Sequence, residues 1–137
     1  MNTEQARFNM IEQQIRPWNV LDPSVLQLLA VVKREDFVPA AHRALAFMDT
    51  EVPLPEGQCM LAPRVEARLL QELHVQRHER VLEIGAGSGY MAALLAHKAL
   101  SVRTLEKRPV LAAMARDNLK RAGVLNIDVL EVDGSVD

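Results

Sequence analysis

Arg80-Val81-Leu82-Glu83-Ile84-Gly85-Ala86-Gly87-Ser88-Gly89-Tyr90 is the stretch on which the reading of this chain turns. Its first five residues read as a buried strand, glycines follow at every second position, and residues 90–99 then read as a helix. Glycine where a strand hands over to a helix permits positive φ and lets a ligand approach the backbone closely. Downstream the pattern repeats. Val102-Arg103-Thr104-Leu105-Glu106 is a second strand. Pro109 starts a helix with Leu111, Met114, Ala115 and Leu119 inward and Gly123 as its stop. A third strand runs over 127–132, five residues before the chain ends. Strands separated by helices predict parallel βαβ units with right-handed crossovers. The expected fold class is therefore α/β, a Rossmann-like doubly wound sheet with its three strands side by side.

Upstream, the first third reads as helical. Phe8, Ile11 and Ile15 recur at helical spacing before Pro17. Asp22-Pro23 is a cap followed by a first helical residue, and Val25, Leu26, Leu28, Leu29 and Val32 form the stripe behind it. Residues 40–48 predict a short third helix. Pro53, Pro55, Gly57 and Pro63 make 50–63 an extended loop, a natural place for substrate contacts. Pro63 then opens a helix with Val65, Leu69, Leu70 and Leu73 on one side. The expected division is a helical N-terminal region with the loop over 1–62 and a nucleotide-binding half-domain over 63–137, together one structural domain.

Composition narrows the function classes. The 137 residues suit one domain, and 49% apolar against 25% charged residues is the balance of a globular chain rather than a disordered one. A net charge of −2 with interspersed signs offers no basic face, so no nucleic-acid partner is expected. No apolar run approaches the ~20 residues of a membrane span, and the polar N-terminus does not read as a secretory signal. Cys59 is the only cysteine, which excludes an internal disulfide and fits a reducing cytoplasm. His42, His74, His78 and His97 have no metal-site spacing, and no metal is expected.

The glycine run also fits a ligand-free turn, but its neighbours favour a nucleotide. Glu106 ends the next strand 20 residues on, where an acid accepts both ribose hydroxyls. Asp133-Gly134 ends the third strand, either as the acid beside an adenine or as a plain turn. The dinucleotide fingerprint wants a third glycine where Tyr90 stands, and Glu83 would repel a pyrophosphate. The same Glu83 can face the amino group of S-adenosylmethionine, which is the expected cofactor. The cofactor-binding set is thus Glu83, Gly85, Gly87, Gly89, Glu106, Asp133 and Gly134. A carboxylate acceptor would already be ionised at neutral pH, so no general base is assigned.

With these residues in view, the chain resembles the protein-L-isoaspartate O-methyltransferase family over nearly its whole length. Met10-Ile11-Glu12-Gln13-Gln14-Ile15-Arg16 is similar to that family's opening helix, and Val32-Lys33-Arg34-Glu35-Asp36-Phe37-Val38-Pro39 to its next landmark. Phe47-Met48-Asp49 with Leu54-Pro55 resembles the approach to its active loop, and 81–90 its cofactor motif. The resemblance implies a class I methyltransferase fold and methyl transfer from S-adenosylmethionine to isoaspartyl carboxylates of damaged proteins or peptides in the cytoplasm. It aligns Gly57-Gln58-Cys59-Met60-Leu61-Ala62-Pro63 with the family's active loop, usually Gly-Gln-Thr-Ile-Ser-x-Pro. Gln58, Cys59 and Leu61 are therefore the loop candidates, with a thiol and an isobutyl group where hydroxyls are usual. Leu61 cannot donate a hydrogen bond, so an acceptor other than isoaspartate is the alternative, and a non-catalytic binding module is a third. No base or cationic cluster lies near Cys59 in sequence, which predicts an inert, buried thiol. The resemblance also implies further strands and helices after the third strand. Their absence here reads as a truncation and predicts an unpaired apolar edge on the first strand, open to self-association.

Overall fold

A computed structural model of the protein describes residues 2–132. Helix α1 (Thr3–Met10) starts where Asn2 Oδ1 accepts the Gln5 N–H at 2.7 Å, and widens into a π-turn over Ile11–Ile15. A 3-10 turn at Arg16–Trp18 closes it, with Asn19 left-handed at φ 61°. Asp22 caps α2 (Pro23–Val31), accepting the Ser24 N–H, as its sequence position predicts.

Two expectations for the next stretch change. Residues 40–45 form 3-10 turns kinked at His42 rather than a regular helix. The predicted extended loop folds back on itself as an antiparallel hairpin, β1 (Val52–Pro53) against β2 (Cys59–Met60). Its reversal uses positive φ at Glu56 and Gly57.

Helix α3 (Pro63–Leu73) begins at the predicted proline but buries a different side. Pro63, Glu66, Ala67 and Leu70 face the core, while Leu69 and Leu73 are exposed. The sequence stripe failed here because Glu66, a charged residue, occupies an inward position. It can do so because Arg34 meets it there.

The sheet follows the predicted order, β3 (Arg80–Ile84), β4 (Ser101–Leu105) and β5 (Ile127–Leu130), all parallel, with helices α4 (Tyr90–Lys98) and α5 (Pro109–Arg121) as crossovers. The register aligns Val81, Val102 and Ile127 across one face, with Glu83, Thr104 and Val129 beside them. That face packs on the core, where α4 contributes Ala92, Ala93, Leu94 and Leu95, and α5 contributes Leu111 and Leu119. The opposite face aligns Ile84, Leu105 and Leu130. Among the described residues it is open: Leu82 is 59% and Ile84 66% exposed. β3 pairs with β4 alone. The apolar edge is as predicted, and an open apolar face accompanies it. No helix among the described residues is long and apolar enough to cross a membrane.

Candidate functional site

The site forms where β3 runs into its glycine turn and the hairpin lies over it. Gly85 extends the strand ladder, donating its N–H to Leu105 O at 2.7 Å. At φ 92° it faces open space, with no atom within 4 Å of where a Cβ would stand. Gly89 is glycine for a different reason. A Cβ there would lie 3.3 Å from the Ala115 backbone and from Leu119 Cγ, so it allows α4 and α5 to approach closely. It lines neither cavity of the site.

Glu106, just beyond β4, is 4% exposed. Its Oε1 accepts the N–H groups of Ala86 at 3.0 Å and Gly87 at 3.4 Å, and its Oε2 accepts that of Arg108 at 3.1 Å. The carboxylate therefore fixes the glycine turn as well as facing the cleft. Glu83 points to the core face, where Thr104 Oγ1 donates to its Oε1 at 2.7 Å. Burial, opposed by that hydrogen bond and reinforced by Glu106 and Glu66, pushes its carboxyl up to about 7.

Two cavities flank the turn and share Cys59, Gly85 and Gly87. One, of about 380 Å³, lies along the end of β4 against Glu106, Lys107, Arg108 and Leu111. The other, of about 250 Å³, lies under the hairpin against Glu83, Glu66, Tyr90, Leu54 and Leu61. The buried Tyr90 hydroxyl has no hydrogen-bond partner among the described residues. Leu54 Cδ1 sits 3.5 Å from the Cβ position of Gly87, so the hairpin roofs the turn.

Of the predicted residues, Glu83, Gly85, Gly87, Glu106, Gln58, Cys59 and Leu61 all line this cleft. Asp133 and Gly134 lie outside the described residues. Cys59 is exposed rather than buried as expected, because β2 turns it toward the cavities. Its thiol is pushed up by burial and by Glu51, which keeps it protonated and slow to react. Arg34, Glu66 and Thr104 were not singled out by sequence, and Tyr90 only as the residue that breaks the dinucleotide fingerprint. Arg34 stood inside a quoted landmark with nothing to reveal its partners, and the charge of Glu66 on an inward helix position was the one available signal.

A parallel sheet crossed by helices, a glycine turn after its first strand and a buried acid after the second define the class I methyltransferase fold. The chain belongs to the protein-L-isoaspartate(D-aspartate) O-methyltransferase (PCMT) family, whose model matches residues 5–136. It is 43% identical over 129 residues to the protein-L-isoaspartate O-methyltransferase of Methanoculleus marisnigri, covering 94% of this chain and 59% of that protein. It is 41% identical over 133 residues to that of Herpetosiphon aurantiacus, covering 97% and 59%. The chain thus spans about three fifths of the length of these curated relatives. A Plasmodium falciparum protein of that name, crystallised with S-adenosyl-L-homocysteine, superposes with a TM-score of 0.74 at 21% identity. The match covers 96% of this chain and 63% of that one, a likeness of fold.

Proposed function

We propose that this chain holds S-adenosylmethionine for methyl transfer to isoaspartyl carboxylates in damaged proteins. The observation that carries this reading is Glu106, fixed on the glycine-turn amides beside a cavity that Gly85 leaves open. Membership of the PCMT family supports the substrate class, and the single cysteine fits a repair role in a reducing cytoplasm. The cofactor supplies an electrophilic sulfonium methyl. Glu106 would accept the ribose hydroxyls, and Gly85 and Gly87 would let the nucleoside lie on the backbone. Glu83 faces the cationic methionine end, directly or through water. Residues 1–62 would supply the helical region with the active-site loop, and 63–137 the cofactor-binding half-domain. Alignment of acceptor and methyl supplies most of the rate gain, and orientation alone is worth ~7–11 kcal/mol. The acceptor carboxylate is already ionised at neutral pH, so no side chain needs to act as a base.

A second reading, transfer to an acceptor other than isoaspartate, is favoured by one observation. Leu61 is 39% exposed and lines the smaller cavity beside Cys59, where the family's loop usually carries hydroxyls. Self-association along β3 is part of the same proposal, supported by the exposure of Leu82 and Ile84.

Labelled-methyl transfer to an isoaspartyl peptide and to its aspartyl twin tests the first reading. Transfer to the isoaspartyl peptide alone is the expected result. Cofactor binding with transfer to neither peptide would contradict it and favour the second reading.

A further inference from the structure

We propose that Arg34, seated on Glu66, is a positioning residue that sets the hairpin over the glycine turn. The inference rests on the methyltransferase reading only for its functional consequence.

Arg34 is 1% exposed, and its guanidinium reaches four separate segments. Nε and Nη2 donate to Glu66 Oε1 of α3 at 3.2 and 2.9 Å. Nη1 donates to Ala46 O at 2.6 Å, at the end of the kinked 3-10 segment. Nη2 also donates to Leu61 O at 2.9 Å, one residue beyond β2. The ring of Tyr90, the first residue of α4 after the glycine turn, lies 5.4 Å from its Cζ. One side chain therefore ties the outgoing end of the hairpin to the helix that begins at the cofactor turn.

Packing holds the inward side of the hairpin, with Val52, Leu54 and Met60 buried in the core, but its polar ties to the body are few. Its ladder is two residues long on each strand, too short to hold a position unaided. Its tip meets the body through Glu56 and Arg108 at 3.7 Å, a partly exposed pair of small value. The bond to Leu61 O is by contrast charge-assisted and comes from a guanidinium that is itself buried. Leu61 and Cys59 border the smaller cavity, so displacement of that carbonyl would move the wall facing the acceptor while leaving Glu106 and Gly85 in place. Lysine retains the charge but cannot reproduce the fork that reaches three acceptors at once.

The Leu54 N–H donates to Gln58 O at 2.8 Å across the hairpin, so its exchange rate reports whether the hairpin stays seated. Amide exchange would be measured in the 137-residue chain, Arg34→Lys, Glu66→Gln and a control, Leu29→Ala in the core of α2, with S-adenosylhomocysteine affinity measured alongside. Both site variants are expected to exchange Leu54 about tenfold faster relative to the α3 amides. Arg34 lines neither cavity, so ligand affinity should fall less in Arg34→Lys than in Glu106→Ala. The control should lose stability with the ratio of Leu54 to α3 exchange unchanged. Folded site variants that keep the unsubstituted ratio would overturn the proposal, as would a control that shifts it equally. If neither site variant folds, exchange in the unsubstituted chain decides. A Leu54 amide that exchanges as slowly as those of α3 supports the tether, and one that exchanges at an open-loop rate overturns it. Absence of ligand binding by the unsubstituted chain would sink the cofactor reading and leave the exchange comparison valid.

Discussion

At the scale of single residues, Glu106 both holds the glycine turn and lines the larger cavity. Its Oε1 accepts two turn amides, and Ala86 is buried, so Glu106→Ala leaves a buried N–H without a partner. The expected loss in urea unfolding is about 1–3 kcal/mol, and Glu106→Gln, which keeps an acceptor, should recover part of it. Glu83 has a pH signature. Its carboxyl is raised from 4.5 to about 7, so the folded chain binds this proton more tightly than the unfolded one. Stability is then highest, as far as this group is concerned, below about pH 4.5 and falls as pH rises toward 7. The loss is at most roughly 3 kcal/mol. Glu35 contributes the opposite slope at lower pH: burial is the largest influence and raises its carboxyl, but the Arg7 hydrogen bond, a backbone hydrogen bond and the charges of Arg7 and Lys33 together outweigh it, and the net shift is downward. Urea midpoints between pH 5 and 8 check this, and Glu83→Gln should flatten the decline. Glu83, Gly85, Gly87 and Glu106 were legible in sequence because a strand-to-helix turn needs them within a few positions of each strand's end. Arg34 was not. Its partners lie 12 to 32 residues away, and no local pattern encodes a contact of that range.

At the scale of elements, the sheet and its crossovers were readable because strand and helix periods differ and prolines and glycines mark their ends. The hairpin over 52–60 was not, because two-residue strands carry no periodicity. The buried face of α3 was misread for an energetic reason: an ion pair with Arg34 stabilises Glu66 where the hydrophobic pattern would place leucine. The glycine turn gives a prediction that separates packing from binding. At Gly89 the left-handed φ of 91° combines with contacts at 3.3 Å to α5, whereas Gly85 has φ 92° and open space. Gly89→Ala should therefore destabilise the chain more than Gly85→Ala, by roughly 1–3 kcal/mol. Gly85→Ala should be the variant whose ligand affinity falls more than its stability. Thermal unfolding and calorimetry on the pair distinguish these outcomes.

At the scale of the molecule, helices and the N-terminal segments cover one face of the sheet, and the other face is open among the described residues. Leu82 and Ile84 stand on that face along the unpaired β3 edge. The edge was expected from the family resemblance, which implies further strands beyond the third. The width of the apolar face became visible only with the register, which sets Ile84, Leu105 and Leu130 in one row. Concentration-dependent sedimentation is expected, and Leu82→Lys with Ile84→Lys should restore a single slow species. Unchanged sedimentation in that double variant would exclude this edge as the contact.

The claim on which the rest depends is that the glycine turn and Glu106 hold an adenosyl cofactor without a diphosphate. Isothermal titration of the 137-residue chain with S-adenosylhomocysteine, and separately with NADH, tests it most directly. The account predicts one site for S-adenosylhomocysteine, no heat of binding for NADH, and affinity about tenfold or more weaker in Glu106→Ala. Equal affinity in Glu106→Ala, or preference for the dinucleotide, would contradict it.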